Sequence, residues 1–160
     1  MTARRALSLL LVFIGAYHVV IGILLMFSTT FQRFAVNAYG ASFDFGVRDT
    51  YFIRIIGSFV LVLGSMALGA SRNPVANWPA ILSFVEFFVL RDISRHLYSQ
   101  ELYEGFHVSP LINVLTSVVF GAQALLLVVL LWRARRREVD DADHEAINNS
   151  GPNQGAVRQV

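Results

Sequence analysis

Long apolar runs are the feature that most restricts the folds open to this chain of 160 residues. The run at 6–27 contains one ionisable residue, His18, and the run at 55–70 contains none. A third run, at 111–132, is interrupted only by uncharged polar residues. Each approaches the roughly 20 residues that an α-helix needs to cross the hydrocarbon of a bilayer. The sequence therefore predicts an all-α integral membrane protein.

A fourth span is predicted between the second and third of these runs. Residues 78–90 are apolar except for Ser83 and Glu86, and a polar segment follows at 91–96. Taken as one helix, this region is long enough to cross a membrane if its polar third faces other helices. The four predicted spans cover about residues 6–28, 50–71, 77–98 and 110–132, with an outer loop at 29–49.

The distribution of charge favours four spans and sets an orientation. All 13 basic side chains are arginines, and seven of them lie at span ends that share one side only if the spans number four: Arg4, Arg5, Arg72, Arg133, Arg135, Arg136 and Arg137. Arginine accumulates on the cytoplasmic side of membrane proteins. We therefore predict a four-helix bundle in the inner (plasma) membrane with both termini in the cytoplasm.

Composition separates a membrane domain from a tail and excludes several classes. Charged residues make up 15% of the chain, against about 25% in soluble proteins. Residues 1–137 form the predicted membrane domain, and the acidic segment 138–160 is predicted to be a disordered cytoplasmic tail. The chain has no cysteine, which excludes disulfides, thiolate metal sites and cysteine nucleophiles. Nucleic-acid binding is not expected, because the arginines lie at span ends.

Local signals define several helix ends. Asp49 or Thr50 is predicted to cap the second span, and Ser109 before Pro110 is a predicted cap for the fourth. A turn is expected at 73–74, between spans two and three. The outer loop is predicted to hold a short interfacial helix at 30–38, stopped by Gly40.

Small residues recur at heptad spacing in the first two spans: Ser8, Gly15 and Gly22, then Gly57, Gly64 and Ser71. Such stripes allow close approach of helices in lipid. They predict a seam within the chain or, as the alternative, a homodimer face.

A polar layer is predicted in the outer third of the spans, from Arg54, Arg91, Asp92, Arg95, His96 and Asn113. Asp92 is spaced to pair with Arg95 or His96 on one helical face. One interpretation is a pocket that binds a small anionic or quinone-like head group. The other is a belt of snorkelling side chains and structural ion pairs.

A second polar set, His18, Glu86 and Gln123, is expected near mid-depth. His18 and Glu86 form a candidate proton relay, because histidine titrates near neutral pH and burial favours a protonated carboxyl. The alternative is that each side chain is hydrogen-bonded to a neighbouring helix.

No catalytic residue, metal site or cofactor is predicted. The chain has no H-x-x-H spacing, and His18 and His96 lie at depths too different to ligate one haem. The arginine run at 133–137 is interpreted as a topology anchor and, secondly, as a contact for anionic lipid.

Several features together resemble a known family. They are Gly15 and Gly22 in the first span, Phe34 with Tyr39-Gly40 in the loop, the segment 53–57 with Gly64, and the segment 91–95. Residues 6–135 thereby resemble small bacterial four-helix membrane proteins related to DoxX and BphX. The resemblance implies a link to quinol oxidation or to membrane responses to oxidative or thiol stress, and the absence of cysteine argues against the thiol role.

Three functions remain open at this point. The first is a non-enzymatic accessory or scaffold subunit whose arginine layer is structural or binds a head group. The second is a small proton-coupled transporter that uses His18 and Glu86, and the third is a quinone-linked redox subunit. The expected partners are the lipid bilayer and either another membrane protein or a second copy of the chain.

Overall fold

The computed structural model describes residues 2–41 and 45–149, and within these ranges it is helical without strands. The elements are α1 (Ala3–Phe27), α2 (Thr29–Ala38), α3 (Val47–Ser71), α4 (Trp78–Leu97), α5 (Ser99–Phe106) and α6 (Pro110–Asn149). The prediction of an all-α protein is confirmed.

Three of these helices are long and apolar enough to cross a membrane: α1, α3 and the part of α6 from Pro110 to Asp140. Many of their large apolar side chains point outward. Phe13 and Phe59 are each 66% exposed and Leu125 is 64% exposed. Helix α4 is not among the three because four charged side chains lie within its 20 residues.

The closest packing in the molecule is between α1 and α3, which run antiparallel. The two stripes of small residues meet in register, with Ser8 opposite Ser71, Gly15 opposite Gly64 and Gly22 opposite Gly57. The Ser8 hydroxyl donates to the Ser71 carbonyl at 2.6 Å. A Cβ built on Gly22 would lie only 2.6 Å from the backbone nitrogen of Leu61. The prediction of a seam within the chain is confirmed.

Helices α4 and α6 complete the core. Helix α6 packs against α4 and α1, and α4 also contacts α3. The shared core contains Leu7, Leu11, Ile14, Ala67, Ala70, Ile81, Phe84, Phe88, Ala124, Leu127, Leu131 and Ala134. Its aromatic centre is Phe88, whose ring centroid lies 5.4 Å from that of Phe120.

Side-chain contacts define one end of the molecule. The Arg4 guanidinium lies 3.5 Å from Glu138 of α6 and 3.3 Å from the side-chain oxygen of Asn73, in the α3–α4 turn. The start of α1, the end of α3 and the start of α4 therefore lie together beside the middle of α6. Helices α2 and α5 and the starts of α3 and α6 lie at the opposite end.

Most of the predicted helix ends agree with the structure. Ser28 caps α2 through a 3.1 Å bond from the Phe31 amide, and Gly40 follows α2 with a φ of +72°, a conformation that glycine adopts without strain. Ser109 precedes α6 and accepts from the Ile112 amide at 3.4 Å. The short helix in the loop, the Ser109 cap and the turn at 73–74 are confirmed.

One prediction about a helix end was wrong, and one helix was missed. Helix α3 begins at Val47, one turn before the predicted cap, because Gly46 is its N-cap and Asp49 lies inside the first turn, where its carboxylate accepts from the Gly46 amide at 3.0 Å. The short helix α5 was not predicted. It ends at Phe106, and the next residue, His107, has a φ of 56°, in the left-handed region.

Helix α6 extends into the segment that was predicted to be a disordered tail. It continues through residues 138–149, beyond the predicted fourth span of about 110–132. No glycine or proline interrupts the sequence between Gly121 and Gly151, so nothing in this stretch forces the helix to stop. The remainder of the predicted tail, 150–160, lies outside the described residues.

Candidate functional site

The last two turns of α4 carry three charged side chains toward α2 and α6. They are Arg91, Asp92 and Arg95, all half-buried, and Arg95 is hydrogen-bonded to the buried Asn113 of α6. We call these four residues the polar cluster. Their spacing places Arg91 and Arg95 one helical turn apart, so both guanidinium groups project toward the same neighbours.

Arg91 is held between two aromatic residues from different helices. Its Nη2 donates a 2.8 Å hydrogen bond to the Tyr39 hydroxyl at the end of α2. Its Cζ lies 3.7 Å from the centroid of the Phe120 ring of α6. These contacts hold the guanidinium in place. Its other terminal nitrogen, Nη1, is buried and has no hydrogen-bond partner among the described residues.

Arg95 is held by a reciprocal pair of bonds with Asn113. Its Nε donates to Asn113 Oδ1 at 2.7 Å, and Asn113 Nδ2 donates to the Arg95 carbonyl at 3.4 Å. The guanidinium carbon lies 5.8 Å from the centroid of the Tyr39 ring, which thus contacts both arginines. The Nη2 of Arg95 is buried, and the described part of the chain offers it no partner.

Asp92 faces α6 at a glycine. A Cβ built on Gly121 would lie 3.8 Å from Asp92 Oδ2, so the carboxylate lies close beside α6 at this point. Asp92 Oδ1 is buried without a hydrogen-bond partner in the described ranges. The predicted pairing of Asp92 with Arg95 or His96 is not present, since the one ion pair between described side chains joins Arg4 and Glu138.

Four of the six predicted outer-layer residues come together, and two do not. Arg54 on α3 and His96 on α4 are exposed, and they make no described contact with the polar cluster. Equal depth along a helix does not fix the direction in which a side chain points. Tyr39 and Phe120 were missed as members of the site. In the sequence, Tyr39 was marked only by the Tyr39-Gly40 pair of the family resemblance and by its place among the aromatic residues of the outer loop at 29–49.

The mid-depth set is separated by the fold. His18 is 7% exposed, and its Nδ1 lies 2.7 Å from the Ile14 carbonyl oxygen. Glu86 lies on the exposed face of α4, opposite the buried Phe84 and Phe88. The His18–Glu86 contact that a relay requires is therefore not formed. Gln123 is half-buried on α6, and its Oε1 has no partner within the described residues.

The polar cluster combines hydrogen-bond donors and acceptors. Three of its buried atoms, Arg91 Nη1, Arg95 Nη2 and Asp92 Oδ1, have no hydrogen-bond partner among the described residues. Two arginines and one aspartate give the cluster a net charge of +1. Such an arrangement can bind a group that accepts hydrogen bonds from two guanidinium groups.

Comparisons of the chain with protein-family models, with curated proteins and with solved structures found no match. Among the described residues, no group of three or more histidine, aspartate or glutamate side chains is placed to hold a metal ion. The function is therefore argued from the polar cluster and the surface of the molecule.

Proposed function

We propose that this chain is a four-span inner-membrane protein with both termini in the cytoplasm. Three helices are long and apolar enough to cross a membrane, and α4 packs between α3 and α6 with its charges directed largely toward α2 and α6. The end marked by the Arg4–Glu138 contact also carries the arginine-rich segment of α6. This asymmetry supports a cytoplasmic location for that end.

The proposed function is that of an accessory subunit that binds a small head group, anionic or quinone-like, in the polar cluster. The observation that carries the proposal is the pair of buried donors, Arg91 Nη1 and Arg95 Nη2, without partners in the described part of the chain. An unpartnered buried donor costs about 1–3 kcal/mol. A bound group with acceptor oxygens would recover this cost at both arginines.

The surroundings of these donors support a flat or compact group. Tyr39 and Phe120 flank the guanidinium of Arg91 with aromatic rings, and a quinone ring or a carboxylate can stack or fit beside such rings. The resemblance to DoxX-related proteins, which implies a link to quinol oxidation, is compatible with a bound quinone. The geometry favours this function over a His18–Glu86 relay, because His18 is buried whereas Glu86 lies on the exposed face of α4.

The test measures stabilisation of the full chain, purified in mild detergent, by two separate probes. A short-chain ubiquinone represents the quinone, and a short-chain alkyl phosphate represents the anion. A ligand that binds only the folded protein at about 100 times its Kd stabilises it by about 2.7 kcal/mol. We expect one of the two probes to raise the thermal midpoint of the wild type, and that probe identifies the head-group class.

Matched variants locate the binding site. Arg95→Gln removes one of the buried donors, and Arg54→Gln removes the same charge from an exposed position of α3. The stabilisation should be lost in Arg95→Gln and retained in Arg54→Gln. If neither probe stabilises the wild type, or if both variants lose the effect equally, the proposed function is wrong.

A further inference from the structure

A groove runs between α4 and α6 at the Arg4 end of the molecule, far from the polar cluster. Its volume is about 450 Å³, within the range of small-molecule binding pockets. Its apolar wall includes Leu82 of α4 and Leu131 of α6, and Trp78, Trp132, Arg135 and Arg136 form its rim. We call this feature the α4–α6 groove.

The two rim arginines are stacked on the two tryptophans. Arg135 of α6 reaches across to α4, with its Cζ 4.8 Å from the centroid of the Trp78 ring. Arg136 lies over Trp132, one turn earlier on α6, at 4.4 Å. Stacking covers the faces of a guanidinium and leaves its N–H edges open to acceptors. Of the side chains that the structure describes, neither arginine forms an ion pair with a carboxylate.

We propose that the α4–α6 groove binds an anionic phospholipid. The phosphodiester lies at Arg135 and Arg136, and an acyl chain lies along Leu82 and Leu131. Arginine binds phosphate oxygens through paired N–H donors, and tryptophan is enriched at the level of lipid head groups. The groove therefore combines the chemistry of a head group with that of a hydrocarbon chain.

Charge complementarity favours an anionic lipid over a zwitterionic one. The groove holds two arginines and one carboxylate, Asp140, at its outer end, so its net charge is +1. A phosphatidylglycerol head group carries one negative charge and neutralises the groove. The groove and the polar cluster lie at opposite ends of the molecule and share no residue, so lipid binding here is independent of the head-group proposal.

The competing explanation is that the arginines act only as a diffuse positive surface. The sequence offers a matched control, since Arg133 and Arg137 belong to the same run but do not line the groove. If the positive surface is diffuse, replacing either pair of arginines should weaken lipid binding equally. If the lipid binds in the groove, only the replacement of Arg135 and Arg136 should weaken it.

The experiment is native mass spectrometry of the full chain in detergent, titrated with phosphatidylglycerol or phosphatidylethanolamine. We expect preferential retention of phosphatidylglycerol by the wild type. The double variant Arg135→Gln/Arg136→Gln should bind it roughly 25-fold more weakly, at about fivefold for each arginine removed. The control Arg133→Gln/Arg137→Gln should bind close to the wild-type level.

A second pair of variants tests the apolar wall without changing charge. Leu82→Trp fills the groove, whereas Leu126→Trp adds the same bulk to a lipid-facing position of α6 that is 50% exposed. We expect lipid retention to fall only in Leu82→Trp. This pair of variants also tests the proposal if the double arginine variant fails to fold. Equal binding of both lipids, or equal losses in either matched pair, overturns the proposal.

Discussion

The Cζ of Arg91 lies 3.7 Å from the centroid of the Phe120 ring, so the guanidinium lies against the face of that ring. The same group donates a hydrogen bond to Tyr39 at 2.8 Å. Arg91 thereby joins α4 to α6 and to the end of α2 through a single side chain. The contact depends on how α4 and α6 pack, because the attraction requires the cation to lie over the face of the ring.

We predict that Phe120→Leu lowers the free energy of unfolding by about 1–2 kcal/mol, because it removes this cation–π interaction. Denaturation in mixed micelles measures the change. Phe59→Leu is the control, because Phe59 is 66% exposed and its replacement should have little effect.

A double-mutant cycle with Arg91→Gln separates this interaction from simple packing. The two substitutions should be non-additive by about 0.5–2 kcal/mol, since each removes the same interaction. Additive effects would show that Phe120 acts only by filling space.

The glycines of the α1–α3 seam give a second prediction. In Gly64→Ala, the new Cβ would lie 2.6 Å from the backbone nitrogen of Val19, so the helices must separate. Overpacking of this kind costs about 1–3 kcal/mol. Gly69→Ala on the same helix is the control, because nothing lies within 4 Å of its added Cβ. Denaturation should show a loss of stability in Gly64→Ala and none in Gly69→Ala, and equal behaviour of the two would contradict the seam.

The helices were predictable because hydropathy and helix-end signals are local properties of the sequence. The spans predicted at 6–28 and 50–71 correspond to α1 and α3, and the predicted helix at 77–98 corresponds to α4. The close approach of α1 and α3 was also predictable, since both stripes of small residues have heptad spacing. The continuation of α6 to Asn149 is harder to predict, because an acidic composition is typical of disordered tails as well as of exposed helices.

The composition of the candidate site was only partly predictable, because it depends on which faces of the helices meet. Arg91, Asp92, Arg95 and Asn113 were predicted from their depth, and so were Arg54 and His96, which point away. Tyr39 joins the site only because the Gly40 turn and the short helix α2 fold it over α4. No local sequence pattern predicts this contact between Tyr39 and α4.

The number of spans is open to a direct chemical test, because the chain has no cysteine. We predict that Ser99→Cys, at the start of α5, reacts with a membrane-impermeant maleimide in intact spheroplasts. Ala76→Cys, in the α3–α4 turn, should react only after the membrane is permeabilised. Both positions are exposed, so accessibility depends on the side of the membrane.

Thr30→Cys provides the internal control for this labelling experiment. Thr30 is exposed on α2, at the same end of the molecule as α5. It should react as Ser99→Cys does. If α4 does not cross the membrane, Ala76→Cys and Ser99→Cys will react from the same side, and the four-span topology is then wrong.

Glu86 and His18 allow a final prediction that separates binding from proton transport. Proton transfer requires the two groups to lie within hydrogen-bond reach, directly or through one water. Glu86 is on the exposed face of α4, whereas His18 is buried and its Nδ1 lies 2.7 Å from the Ile14 carbonyl oxygen. We therefore expect Glu86→Gln proteoliposomes to dissipate an imposed pH gradient at the same rate as the wild type and as the neighbouring exposed variant Ser83→Ala. If the pH gradient dissipates more slowly in Glu86→Gln alone, proton transfer through Glu86 is supported and a purely binding role is contradicted.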